Sequence, residues 1–225
     1  MHPLDQALTI LATALPDRSL EALAQLPIGQ RDAYLLLLRE MTFGSQLESC
    51  AACPHCRELL EFSLQTQEIR LIEPDQFTPP NLHCKTEQHS LQFRLPNSQD
   101  LAAVIHSHPL ELAQQQLAQR CLETVPSDSQ AIALLSPEVI DQFSHQVSEL
   151  DPQAELLLDL QCPACGHEWQ VVFDIVSYFW TELTAQAKRL LQEVHILARA
   201  YGWYEAEILA LSPLRRKLYL ERVLG

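Results

Sequence analysis

Two stretches decide how this chain is read: CPHCRELLEFSLQ (Cys53–Gln65) and CPACGHEWQVVFD (Cys162–Asp174). Set beneath one another, Cys53 aligns with Cys162 and Cys56 with Cys165, a constant offset of 162 − 53 = 109 residues. Three residues after each Cys-Pro-x-Cys the pattern becomes apolar at every second position: Leu60, Phe62 and Leu64 in one copy, Trp169, Val171 and Phe173 in the other. That period marks a half-buried strand. A short strand-like segment also precedes each pair, so each copy reads as strand, turn, strand with two thiols at the tip.

In a Cys-x-x-Cys turn both sulfurs can point at one ion while backbone amides hydrogen-bond to them. A structural zinc takes four such ligands in a tetrahedron, and one hairpin supplies two. Cys53, Cys56, Cys162 and Cys165 are therefore the expected single site, binding one zinc per chain. The arrangement is that of a zinc ribbon whose halves are separated by a 105-residue insert, residues 57 through 161.

Cys-Pro-His-Cys is also the active-site sequence of DsbA-like oxidoreductases, but the context differs. A redox motif of that kind follows a buried strand and opens a helix, whose N-terminus lowers the thiol pKa. Here the residues after Cys56 alternate as a strand, and a redox enzyme has no need of a second copy. Cys50, Cys53 and Cys56 together resemble an iron–sulfur run that lacks its fourth member. Cys50 aligns with Asp159 and reads as a strand residue. His55 and His167 belong beside the ligands rather than among them, because four thiolates already complete the shell. His83-Cys84 and His106-x-His108 have no further ligand spacing around them and read as loop or helix residues. Cys121 reads as a helix core residue, and Trp180, Trp203 and Tyr204 as packing anchors.

Composition narrows the function classes. The 225 residues are 47% hydrophobic and 20% charged, with 15 Lys and Arg against 29 Asp and Glu, a formal charge of -14. A chain that acidic repels phosphate backbones, so no nucleic-acid partner is expected. The one basic cluster, Arg215-Arg216-Lys217, reads as a solvated or interface-facing helix side. The opening segment, MHPLDQALTILATAL, lacks the positive region of a signal peptide. No stretch approaches the roughly 20 apolar residues of a membrane span. A cytoplasmic protein with no direct membrane insertion is expected. Seven cysteines, an odd number, point to thiols or metal rather than a disulfide framework. With only five glycines there is no phosphate-binding loop, and neither Gly-x-Ser-x-Gly nor His-Glu-x-x-His occurs. A four-thiolate ion has no open coordination position, so no enzyme is expected.

The element order reads as helices, hairpin, mixed middle, hairpin, helices. Leu4, Leu8, Leu11 and Leu15 line one helix face, and a second helix opens at Pro27-Ile28-Gly29 and closes before Gly44. Leu91, Phe93 and Leu95 alternate as a strand. Ser98 is the expected cap of a short helix, and a Gln-rich helix spans about Leu110 to Thr124. Ser136-Pro137-Glu138 starts a helix that Asp151-Pro152 ends. Leu183, Ala187, Leu190, Val194, Leu197 and Tyr201 mark a long helix terminated by Gly202, followed by short helices from Trp203 and from Ser212-Pro213. The expected class is α+β: an N-terminal helical segment (1–45), a ribbon-like core (46–175) with a mixed α/β insert (about 66–155), and a C-terminal helical segment (176–225).

Four stretches carry a family resemblance. They are PIGQRDAYLLLLREMTFGSQLES running into CPHC, FRLPNSQDLAAV, CPACGHEWQVVFDIVSYFW, and the tail EVHILARAYGWYEAEILALSPLRRKLYLERV. Together they resemble the baseplate hub assembly chaperone-like proteins of contractile-tailed phages and of phage-tail-like contractile injection systems. The resemblance implies a non-enzymatic structural or assembly role, with other baseplate, hub, spike or tube proteins as partners. Two readings compete with it. One is a zinc-ribbon adaptor in transcription or RNA metabolism; the other is a thiol-disulfide oxidoreductase. At Arg57 the first knuckle carries a side chain where the second has Gly166, which predicts a less relaxed first turn.

Overall fold

A computed structural model describes residues 2–85, 90–123 and 135–225. It divides into two compact units, Met1–Val176 and Ser177–Gly225. The class is α+β, with helices around small antiparallel hairpins.

The first unit begins with α1 (Pro3–Ala14), α2 (Leu20–Ala24) and α3 (Ile28–Phe43). The apolar face of α1 buries Ala7, Ile10 and Leu11. The sequence reading passes over α2, which is only five residues long; the Ser19 hydroxyl caps it by accepting from the Ala22 amide at 3.1 Å. Helix α3 is buried over most of its first three turns, and Gln30, Arg31, Asp32 and Arg39 are buried with its apolar residues. Asp32 accepts from Arg31 Nε beside it at 2.7 Å, and the others reach partners outside the helix. Gln30 Nε2 donates to the Pro74 carbonyl at 2.6 Å, Arg31 Nη1 to Ser98 Oγ at 3.2 Å, and the Gly29 amide to Asp151 Oδ2 at 3.0 Å. Buried polar groups are tolerated when paired in this way.

Two hairpins are rooted on this helix. In the first, β1 (Gln46–Ala52) pairs antiparallel with β2 (Leu59–Gln65), from Gln46 opposite Gln65 to Ala52 opposite Leu59. Arg39 Nη1 donates to the carbonyls of Gly44 and Gln46, both at 2.7 Å, and so holds the start of β1. Glu40 holds the other leg, accepting from Thr66 Oγ1 at 2.8 Å at the start of α4 (Thr66–Ile69) and from Arg70 at 3.0 Å just past its end. The second hairpin, β5 (Leu156–Gln161) with β6 (Glu168–Phe173), follows a 3-10 turn at Pro152–Ala154. That turn packs on α3, and Gln153 also accepts from the Leu71 amide at 2.6 Å. At about 3.3 Å per residue each hairpin projects roughly 20 Å from its root.

The insert has its own core. A third hairpin, β3 (Leu82–Lys85) with β4 (Ser90–Phe93), packs its Leu82, Cys84, Leu91 and Phe93 against α6 (Leu110–Cys121) and α7 (Pro137–Leu150). His83-Cys84 thus lies in a strand and not in a loop or helix; a four-residue strand is too short to show a period. The short helix α5 (Ser98–Val104) is capped by Asn97 instead of Ser98. Asn97 accepts from the Asp100 amide at 3.1 Å, and Asp100 accepts from the Asn97 amide at 3.1 Å. Ser98 is free to meet Arg31 because it is not the cap. In α6, Cys121 and Ala118 turn inward while Leu110 is exposed; the helix stops at Cys121, short of the expected end near Thr124, because Leu122 turns extended and bridges to Phe93. Helix α7 turns Val139 and Phe143 inward, and Asp151 caps its end.

Helix α8 runs from Ile175 to Tyr201. Within the second unit it is followed by α9 (Glu205–Ala210) and α10 (Pro213–Leu224), with Gly202 at φ 69° making the turn after α8. Leu197 and Ile208 are buried, and Tyr201, Trp203 and Tyr219 form an aromatic trio with ring centroids 4.7 to 5.6 Å apart. Trp203 is a packing residue as expected. Tyr204 is not: its side chain is 79% exposed, and its backbone caps α9 by donating to Glu207 at 2.9 Å. No described helix is long and apolar enough to cross a membrane.

Candidate metal centre

The two hairpin tips are built alike. In the first, the Cys53 amide donates to the Glu58 carbonyl at 2.8 Å and the Arg57 amide to the Cys53 carbonyl at 2.9 Å. In the second, Cys162 donates to His167 and Gly166 to Cys162, both at 2.8 Å. The same bonds recur at the 109-residue offset, so the two turns share one fold. Each needs a left-handed residue after its second cysteine: Arg57 at φ 65° and Gly166 at φ 72°. Only glycine enters that region without a Cβ clash, so the first knuckle is the strained one.

The tips meet. Cys53 Sγ lies 3.8 Å from Cys165 Sγ, and Cys56 Sγ lies 3.5 Å from Cys162 Sγ. All four sulfurs fall within 4.8 Å of one another. At a Zn–S length near 2.3 Å, the edge of a tetrahedron is about 3.8 Å. A disulfide requires about 2.05 Å, and all seven cysteines are free thiols. The contacts pair the first cysteine of each knuckle with the second of the other, which is how two bidentate clips interlock around a point. Cys53 and Cys162 are buried, while Cys56 and Cys165 face outward. The donor set and its spacing fit a single divalent ion such as zinc.

Four thiols this close cannot all ionise unaided. Burial pushes the Cys53 thiol up, but the amides of Cys56 and His55, with the sulfurs of Cys56 and Cys162, bring it down to about 7. The Glu58 amide pulls Cys56 down, yet burial and the neighbouring sulfurs of Cys162, Cys165 and Cys53 outweigh it and raise that thiol to about 12. The first thiolate to form thus holds the remaining protons near it, and a dication would displace them.

The other candidates lie elsewhere. His55 stacks on His167 at 5.6 Å, and His167 on Trp169 at 6.0 Å, so these rings bridge the two tips outside the sulfur cluster. Cys50 is exposed on β1 opposite Glu61. Cys84 and Cys121 share the insert core. Burial raises the pKa of both thiols, that of Cys121 to about 12. His106 and His108 are exposed near the start of α6. After Cys56 the chain enters β2 and not a helix, unlike a redox motif of the DsbA-like kind. The α3 network that roots both hairpins is not legible in the sequence, since nothing in the order of residues links Glu40 to Thr66 and Arg70 or Gly29 to Asp151.

The sequence model of a family described as T4 bacteriophage base plate protein matches residues 5–180, well over half of the chain and including both knuckles. No curated protein and no solved structure matches it.

Proposed function

The chain belongs to the T4 bacteriophage base plate protein family, and from that membership we propose a non-enzymatic structural or assembly role in the baseplate or hub of a contractile tail or phage-tail-like injection particle. The observation that carries the proposal is the extent of the match, which runs from α1 through both knuckles into α8. Its partners in this reading are other baseplate, hub, spike or tube proteins, met in the cytoplasm during assembly or within the particle.

The site takes a supporting part. Cys53, Cys56, Cys162 and Cys165 hold one structural zinc, making the two hairpins a zinc-ribbon-like core. A two-stranded hairpin is marginal alone in water, and the apolar rows of β2 and β6 are only half-buried. An ion shared by both tips converts two weak hairpins into one rigid projection. With four thiolates around it, the ion has no position for a substrate. Its contribution is mechanical.

The test is particle assembly. Cells making the particle without this chain should yield tails with incomplete baseplates by electron microscopy, and the chain supplied in trans should restore them. Truncation after Gly202 should fail to restore assembly while the purified product keeps one zinc. Complete particles formed in its absence would refute the role. Salt-sensitive nucleic-acid binding would favour the adaptor reading instead, and reduction of insulin disulfides the oxidoreductase one.

A further inference from the structure

Charge is not spread evenly along the chain. Residues 177–225 hold 7 Lys and Arg against 5 Asp and Glu, a net +2, whereas residues 1–176 hold 8 against 24, a net -16. The positive surplus gathers on α10, where Arg215, Arg216, Lys217 and Arg222 face a single acid, Glu221. Of these, Arg216 turns inward to Glu193 at 3.1 Å and to the Leu211 carbonyl at 2.6 Å. Tyr219 turns inward onto Tyr201 and Trp203. The opposite face is left to Leu214 and Leu218, 68% and 54% exposed. They lie four residues apart on one helical ridge, with exposed Arg215, Lys217 and Arg222 beside them. A leucine ridge between cations is a poor solvent face and a good docking face.

The first unit carries its complement. A groove of about 530 Å³ is lined by Leu4, Leu101, Val104, Ile105, Leu110 and Ala113, with His2, Ser107 and His108 at its edge. Leu110, at 68% exposure, and Ile105 stand open within it. Asp5 and Glu111, both exposed, directly follow the lining residues Leu4 and Leu110 in the chain. The groove therefore offers apolar walls in a unit whose net charge is -16.

We propose that the α10 ridge of one copy docks in this groove of a second copy, so that the chain associates head to tail. The charge pattern selects this occupant, because an apolar slot in a strongly acidic unit, the complement of a leucine ridge set among cations, is present on the chain itself. Such a contact joins unlike surfaces and extends to a closed ring or an open filament, depending on the rotation between copies. A 12-residue helix is about 18 Å long and buries less than a standard interface, so a micromolar, reversible contact is expected. Electrostatic attraction between the units makes it salt-sensitive. The association is independent of the particle role and of the metal, whose content is measured separately.

Sedimentation equilibrium of the full chain tests it. At low salt the mass should rise with concentration above the monomer's 25.6 kDa, and high salt should depress that rise. The ridge variant L214E/L218E and the groove variant I105E/L110E should each weaken association at least about tenfold. Mixed in equal amounts they should form dimers and stop there, because one intact ridge and one intact groove remain. Should a groove variant fold poorly by circular dichroism, R215E/R222E on the exposed ridge supplies the same loss without touching the groove. A wild-type chain that stays monomeric overturns the proposal, including one that binds nucleic acid or anionic vesicles through α10. So does association unchanged in the variants, or a mixture that recovers nothing.

Discussion

Removing one outward-facing sulfur is the most discriminating perturbation of the metal centre. Cys56 and Cys165 are exposed, so Cys56→Ser and Cys165→Ser change a ligand without opening a core cavity. If all four sulfurs hold one ion, either variant loses the same ion. A ligand present at a thousandfold its dissociation constant stabilises the folded state by about 4 kcal/mol. In a chain of 225 residues each kcal/mol moves Tm by about 2–4 °C, so each variant should melt about 8–16 °C lower than the zinc-loaded protein. A chelator should do the same to the unaltered chain. The double variant should melt close to either single one, since the second substitution has nothing left to remove. Hydrogen exchange should localise the loss to the Cys53 and Cys162 amides and to β1, β2, β5 and β6. The α3 amides should stay protected, because Arg39, Glu40 and Gly29 hold the hairpin roots without the ion. Calorimetry with zinc analysis gives the answer. Two ions per chain, or additive losses in the double variant, would show separate sites and refute a shared centre.

Three further outcomes follow from particular contacts. Gly29→Ala should lower stability by about 1–3 kcal/mol in urea denaturation, because an added Cβ would sit 2.7 Å from Asp151 Cγ and 3.0 Å from Gln153 Cβ; an unchanged midpoint would show that the α3 contact gives way freely. Arg57→Gly should raise stability by up to about 1 kcal/mol through relief of the left-handed conformation, and Gly166→Ala should lower it by a similar amount, both read with zinc bound. Asp151 has a raised pKa: burial is the main cause, opposed by the Gly29 amide and reinforced by Asp32, and its Oδ1 has no hydrogen-bond partner among the described residues. A raised folded-state pKa contributes stability that is complete below the unfolded value near 3.8 and is lost as pH rises through the folded value. Asp151→Asn should therefore flatten the decline in Tm on going from acid to neutral pH, and parallel profiles for the two proteins would exclude that assignment.

Much of this architecture is local and so can be read along the chain. Period-two alternation after each Cys-Pro-x-Cys announced β2 and β6, and Ser136-Pro137-Glu138 announced α7, because side-chain direction in a strand or cap depends on near neighbours. The offset of 109 residues likewise announced two equivalent turns and named the four cysteines. Short elements such as α2 and β3 escaped because four or five residues carry too little period, and Tyr204 was misplaced because an aromatic ring can cap the surface as readily as fill a core.

Sequence alone thus determined the two hairpins, their thiol tips and the acidic character of the chain, all properties that neighbouring residues or simple composition settle. The demand of a zinc for four ligands already predicts that the tips meet, but only the tertiary structure decided how they do so, with sulfurs 3.5 and 3.8 Å apart across more than a hundred residues. The reason is the buried polar helix α3, whose Arg39 and Glu40 anchor one hairpin while its Gly29 anchors the approach to the other. Those bonds join residues up to 122 positions apart, and no spacing rule reaches that far.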